Sequence, residues 1–293
     1  MRNNEGRTQI PPELLEQFMK QQEEKFDNQQ PAPAPQTAAA TTGYQVPTDF
    51  VELPSKGTLY DLNHPWYNKE SVEVRYMTTK EEDILSSEAY AKAGIMFDRL
   101  IESVTIDRVD STTLLPGDRN AILINARKNS YGNEYEFVIS CNKCFSEVEC
   151  SINLSELGSV KIDLDRITEN NTVCATLPLS NKEVEFKIMT AGDLKQINKA
   201  ADQQKKHGIQ PNETVELHRR MIVSVDGNNN PNTINGFVQS MLLKDSKFLK
   251  KQYNSFSPDV DFTFQQECKE CGHLNKGGVP IGANFFWLGE CIL

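Results

Sequence analysis

The sequence lacks the short motifs that usually mark a catalytic site, and this absence narrows the functions that it predicts. It contains no phosphate-binding P-loop, no dinucleotide-binding GxGxxG, no GxSxG and no HExxH. Histidine is scarce, with four in 293 residues, and the carboxylate residues are scattered along the chain. We therefore expect no catalytic residues, and we expect that the protein is not an enzyme.

Long apolar runs and an excess of basic residues are absent as well. No run approaches the ~20 apolar residues that span a bilayer, and the N-terminus shows no signal-peptide core. Acidic residues outnumber basic ones 41 to 31. The net charge of −10 weighs against nucleic-acid binding, which needs clustered Lys and Arg. We expect a soluble cytoplasmic protein with no membrane contact and no small-molecule substrate.

Seven cysteines stand out against these absences, because four of them form two Cys-x-x-Cys pairs. The pairs are Cys141 with Cys144 and Cys268 with Cys271. Each pair follows a segment that alternates like a strand, at residues 135–139 and 261–264. Two strands that each end in such a knuckle are typical of a zinc ribbon. The sequence therefore predicts one structural Zn²⁺ bound by four thiolates, with no open position for catalysis.

Other uses of these cysteines remain as alternatives. Iron also occupies four-cysteine sites, a thioredoxin-like redox pair has the same spacing, and buried cysteines without a metal are the plainest alternative. Redox chemistry is disfavoured because neither pair opens a helix after a strand, the setting that lowers a thiol pKa. His273, and after it Cys150, is a substitute ligand. Cys150, Cys174 and Cys291 are otherwise predicted to be small buried apolar residues, as expected in a reducing compartment.

The order of patterns along the chain predicts an α+β fold in two parts. Residues 1–45 are predicted to be a flexible, disordered tail with a short amphipathic helix and a Pro/Ala/Thr linker. Residues 46–293 are predicted to be a small mixed domain. In it the two knuckles bracket a β-hairpin within residues 173–188 and a helical insertion at residues 191–250. A closing strand is expected at residues 279–287.

The tail helix is predicted at residues 11–26, where prolines and acidic residues precede apolar side chains spaced at i,i+4. Two interpretations are supported about equally. The helix folds into a groove on a partner, or it docks on its own domain or remains solvated. An isolated helix of this length is marginal in water.

Local signals locate several helix starts. The predicted caps are Thr79 with Glu82, Asp118, and Thr190 with Asp193. Asp118 is expected to cap a helix at residues 119–127, and another helix is predicted at residues 90–104. Near the C-terminus, Phe285, Phe286 and Trp287 are predicted to be core aromatics. The alternative is an aromatic anchor for a partner, since such clusters often carry interface energy.

Several short blocks occur in the same order as in a known phage family. They lie at residues 53–57, 78–85, 115–119, 130–132, 242–253 and 279–287, together with the two cysteine knuckles. In this order the sequence resembles the baseplate hub proteins of T-even-type contractile-tailed phages, a family also found in related myophages. The resemblance covers most of residues 50–287 and omits the N-terminal tail.

The resemblance implies a non-enzymatic structural or chaperone-like role in building the baseplate hub, the central part of the baseplate below the tail tube. It implies hub proteins as partners. The acidic composition and the tethered helix suit contact with the helical tape-measure protein. The expected location is the host cytoplasm during assembly, with or without retention in the virion. The metal is predicted from the cysteines of this sequence and not from the resemblance.

Two other classes of function compete with this one. A zinc-ribbon adaptor of transcription or nucleic-acid machinery is the alternative, and it requires a local basic surface. A metal-dependent or redox enzyme comes third, and it requires an open metal position or a thiol of low pKa.

Overall fold

The computed structural model describes residues 45–160, 162 and 166–286. The chain divides into two units, Met1–Gln45 and Val46–Leu293, and the described residues belong to the second unit apart from Gln45. The tail helix and linker predicted from the sequence lie outside the described residues, as do Trp287 and Cys291.

The described residues alternate between short strands and helices. The strands are β1 Thr48–Glu52, β2 Ser71–Arg75, β3 Glu134–Ser140, β4 Glu147–Asn153, β5 Thr172–Thr176, β6 Glu183–Lys187, β7 Ile222–Val225, β8 Thr263–Glu267 and β9 Leu274–Gly278. The helices are α1 Thr79–Ser86, α2 Glu88–Ala93, α3 Met96–Val104, α4 Pro116–Tyr131, α5 Ala191–Lys206, α6 Glu213–Met221, α7 Pro231–Ser240 and α8 Leu243–Phe256.

The strands form four small antiparallel sheets: β1–β2, β3–β4, β5–β6–β7 and β8–β9. Helices and hairpins are therefore mixed along the chain, which confirms the predicted α+β class.

The hairpin β5–β6 lies within one residue of its predicted place. The helical insertion, however, contains a strand, β7, which pairs with β6 through Val184 and Val225. It was missed because four residues, Ile222–Val225, directly after a helix are too few to show a distinguishing period.

A row of aromatic rings connects the helical core to the two cysteine hairpins. Leu100 and Ile101 of α3 and Ile122 of α4 are fully buried and form the centre of that core. The row runs from α3 to β8 through Phe97, Phe286, Phe285, Tyr135, Phe137 and Phe264, with successive ring centroids 4.9 to 5.9 Å apart. Three of these five contacts are edge-to-face, and such contacts add to the stabilisation that comes from the apolar area each ring buries.

The structure confirms one of the predicted helix starts and shifts another by one residue. Thr190 and Asp193 form the predicted capping box at the start of α5. The box at α1 lies one residue earlier than predicted and uses Thr78 with Glu81. The helix predicted at residues 90–104 is broken at Gly94, which has a φ of 64° and ends α2 before α3 begins.

Asp118 is not a helix cap, because α4 begins three residues earlier than predicted. Pro116 takes the first helical position, where its missing N–H has no partner to lose. Asp118 then lies inside the first turn and is fully buried. Its carboxylate accepts hydrogen bonds from the Ser55 backbone N–H at 3.0 Å, the Ser55 hydroxyl at 2.5 Å and the Tyr60 hydroxyl at 2.7 Å. It therefore holds the loop after β1 against α4.

The predicted closing strand at residues 279–287 is also wrong. The strand that pairs with β8 is Leu274–Gly278, and Ala283–Phe285 forms a short 3₁₀ helix after it. The exposed fraction of Phe285 is nonetheless 1% and that of Phe286 is 0%, which agrees with their predicted place in the core.

Candidate metal site

The first knuckle is the tight turn between β3 and β4. The Cys141 N–H donates to the Ser146 carbonyl at 2.8 Å, and the Phe145 N–H donates to the Cys141 carbonyl at 3.0 Å. To close this turn Phe145 adopts a φ of 61°, a left-handed conformation that is unfavourable for a residue with a Cβ. The result places both Cys141 and Cys144 at the end of the hairpin.

The second knuckle repeats the same geometry between β8 and β9. The Cys268 N–H donates to the His273 carbonyl at 2.9 Å, and the Gly272 N–H donates to the Cys268 carbonyl at 2.9 Å. Gly272 has a φ of 65° at the position that Phe145 holds in the first knuckle. Glycine adopts this conformation without steric cost. The two hairpins therefore present two matching pairs of sulfurs.

The four sulfur atoms come together at one point. All four Sγ atoms lie within 4.8 Å of one another, and two short separations join one knuckle to the other. Cys141 Sγ lies 3.7 Å from Cys271 Sγ, and Cys144 Sγ lies 3.6 Å from Cys268 Sγ. A tetrahedral ion with metal–sulfur bonds of ~2.3 Å separates its sulfurs by about 3.8 Å. The arrangement is therefore compatible with a four-thiolate metal site.

The electrostatics of the cluster favour some thiolates and oppose others. Backbone N–H groups of Cys144 and Lys143 lower the pKa of Cys141 to about 6. The Ser146 hydroxyl lowers the pKa of Cys268. The backbone N–H of His273 favours the Cys271 thiolate, yet burial and the three neighbouring sulfurs raise the pKa of Cys271 to about 12. Protein groups alone thus leave part of the cluster protonated, whereas a bound cation would favour four thiolates.

Asn275 connects the two knuckles and was not identified from the sequence. It lies in β9, and its side chain is 1% exposed. Its Oδ1 accepts a hydrogen bond from the Asn142 N–H at 3.0 Å, and its Nδ2 lies 3.6 Å from Cys141 Sγ. The same Nδ2 is 3.3 Å from the His273 carbonyl in the second knuckle. One buried amide therefore satisfies backbone groups of both turns, a role that no sequence pattern signals.

Helix α4 positions both hairpins. Gly117, at the start of the helix, lies against the segment that precedes β8. A Cβ added to Gly117 would be 2.1 Å from the Pro258 carbonyl oxygen, so only glycine fits at this contact. The Asn120 side chain donates to Asp259 at 3.0 Å. The segment that leads into the second knuckle is therefore held against this helix.

At the other end of α4, the Arg127 side chain is fully buried. Its guanidinium donates to the carbonyls of Phe285 at 2.9 Å, Gly132 at 3.2 Å and Glu134 at 3.4 Å. It also lies 5.1 Å from the centre of the Tyr131 ring, where a cation–π attraction operates. These contacts hold the start of β3 and the segment after β9 at the same helix end.

The remaining candidate ligands lie elsewhere. Within the described ranges, the four cysteines are the only group of three or more metal-ligating side chains close enough to share an ion, and His273 is not among them. Cys150 is buried in β4, as predicted. Cys174 is exposed, so its predicted burial is wrong: it lies on the outward face of β5, while Val173 and Ala175 point inward.

Comparison with known proteins identifies the class of this chain. Residues 48–287 match the family described as T4 bacteriophage base plate protein. The chain belongs to this family, which makes it a protein of the phage tail baseplate and gives it partners among baseplate proteins. Neither the curated proteins nor the solved structures contain a match.

None of the helices in the described ranges has the combination of length and apolar character that a membrane span requires.

Substitution of Asn275 tests how the knuckles are held together. Asn275→Ala removes a buried amide, and with it the acceptor of the Asn142 N–H and the donor to the His273 carbonyl, so we expect a loss of about 2 kcal/mol in the free energy of unfolding. Urea denaturation of the purified protein measures this loss. Asn142→Ala is the matched control, because it removes an exposed amide and should change stability by less than about 0.5 kcal/mol. Equal midpoints for the two variants would contradict the role of Asn275.

Proposed function

We propose that the protein is a non-enzymatic structural or assembly component of the baseplate hub, held in shape by a zinc ion at Cys141, Cys144, Cys268 and Cys271. The family match over residues 48–287 carries the first half of this proposal. The baseplate is an assembly of structural proteins, which fits a role in binding and not in catalysis. The order of short sequence blocks supports the hub in particular.

Zinc is the metal that best fits the donor set. Structural zinc prefers a closed tetrahedron of thiolates, and the sulfur separations of 3.6 and 3.7 Å fit the size of that tetrahedron. The ion would join cysteines that are 124 and 130 residues apart in sequence. Its contribution would be to fold stability, since metal binding and folding are linked when the unfolded chain has no preformed site.

The tape-measure protein is the partner proposed for the tail region. The amphipathic pattern at residues 11–26 supports a helix that binds along another helix through its apolar face. The predicted linker that follows would let this segment reach a partner while the metal-bound domain remains in the hub.

The nucleic-acid adaptor is less well supported. A phosphate-binding ribbon needs clustered Lys and Arg. The outward face of β3–β4 instead carries exposed glutamates at positions 134, 136, 147 and 149. This face would repel a phosphate backbone.

The metal content tests the zinc half of the proposal. Purified protein should contain one zinc per chain by plasma mass spectrometry. Cys141→Ser or Cys268→Ser should abolish the soluble protein, because each removes a ligand buried at a point that closes the fold. Cys174→Ser is the matched control and should retain full zinc and normal yield, since Cys174 is exposed and outside the cluster. A metal-free preparation that is fully folded would contradict the proposal of a structural metal. One iron per chain would show that the site binds iron instead of zinc.

Affinity capture tests the assembly half. The tagged full-length protein is captured from phage-producing cells, treated with nuclease and analysed by mass spectrometry. Hub or tape-measure proteins should be recovered, and deletion of residues 1–45 should reduce the tape-measure protein and leave hub proteins bound. Recovery of polymerase subunits, or of nucleic acid alone, would contradict the hub role. Unchanged tape-measure recovery after the deletion would contradict the role of the tail.

A further inference from the structure

The outward face of the β3–β4 hairpin is an exposed surface with a pronounced charge. Strand alternation directs Tyr135 and Phe137 into the core, so their neighbours point outward. The residues exposed on this face include Glu134, Glu136, Val138, Glu147, Glu149 and Ser151. In the described part of the chain, β3 and β4 form ladders only with each other, and the outward side chains of both strands alternate as exposed residues with the buried ones.

A groove of about 730 Å³ lies on this face. Val138, which is 58% exposed, supplies an apolar side chain between Glu136 and Glu149. Gln266 and Lys269 of the second hairpin line its far side. A volume of this size is within the range of sites that bind small ligands or several peptide side chains.

The charge of the groove is poorly balanced by the protein itself. Lys269 is the one cation among the described residues that pairs with these glutamates, at 3.7 Å from Glu149. Both side chains are about 80% exposed, and exposed ion pairs of this kind contribute little. Val138 meanwhile remains in contact with water. The surface therefore combines uncompensated negative charge with an exposed apolar residue.

Two contacts between the hairpins join the sides of the groove. Its two sides belong to different hairpins, which meet at the four sulfurs and again where the rings of Phe137 and Phe264 lie 5.0 Å apart. A surface that is already formed loses less conformational entropy on binding than a flexible one.

We propose that this groove binds an extended segment of a partner protein in which Lys or Arg residues flank an apolar side chain. The apolar side chain covers Val138, and the basic residues pair with Glu136 and Glu149. Charge complementarity favours this occupant over an acidic segment or a nucleic acid, both of which the glutamates repel. The expectation of a protein partner rests on the proposed assembly role, and the surface itself does not depend on that role.

Peptide binding to the purified full-length protein tests the groove. The probe is a fluorescein-labelled nine-residue peptide of alternating Lys and Leu, measured by fluorescence anisotropy at moderate salt. A Glu–Leu peptide and a Lys–Ser peptide are run beside it. We expect the Lys–Leu peptide to bind at least tenfold more tightly than either. The double variant Glu136→Lys/Glu149→Lys should weaken its binding at least tenfold, and Val138→Asn should weaken it severalfold.

The matched control is Glu88→Lys/Glu213→Lys, which makes the same change in net charge at two exposed glutamates outside the groove. It should reduce binding less than twofold, and all variants should keep the metal content of the unmodified protein. Equal weakening by the control, or equal binding of the Glu–Leu peptide, would overturn the proposal.

Capture from phage-producing cells separates this proposal from the assembly role. Loss of peptide selectivity with continued recovery of baseplate proteins would overturn the groove alone. Selective peptide binding without recovery of baseplate proteins would overturn the assembly role and leave the groove standing.

Discussion

The meeting of two cysteine knuckles at one point is the constraint on which the rest of this structure depends. The chain leaves the first knuckle at Cys144 and returns to the second at Cys268, 124 residues later. Everything between, from β4 to β8, has to fit within that loop. Closing a loop of this length costs configurational entropy, and a shared ion at the junction would offset that cost in the folded state.

Several buried polar contacts hold the returning chain, so the junction does not depend on sulfur alone. Asn275 joins the two turns, while α4 holds one hairpin through Arg127 and the approach to the other through Gly117. Within the loop, Asp245 of α8 is fully buried and accepts the backbone N–H groups of Leu179 and Ser180 at 2.8 and 3.0 Å. These two hydrogen bonds fix the turn of the β5–β6 hairpin against a helix some 65 residues away in sequence.

The features that could be predicted from the sequence are those encoded locally. Alternation identified β3 because one face of that strand is buried, and the cysteine spacing identified the four residues that meet. The long-range polar contacts could not be predicted, because a buried Asp or Asn has no periodic signature. Asp118 was interpreted as a cap from its neighbours, while its actual partners, Ser55 and Tyr60, lie 63 and 58 residues away. Asn275 and Arg127 were missed for the same reason.

X-ray absorption at the zinc edge of the purified full-length protein would decide whether the two knuckles close on one ion, because it reports the atoms bound to the metal. We expect four sulfur atoms at ~2.3 Å from the zinc and no nitrogen or oxygen ligand. A shell with nitrogen or oxygen at ~2.0–2.1 Å, or with fewer than four sulfurs, would contradict it. The two knuckles would then not close on a single ion.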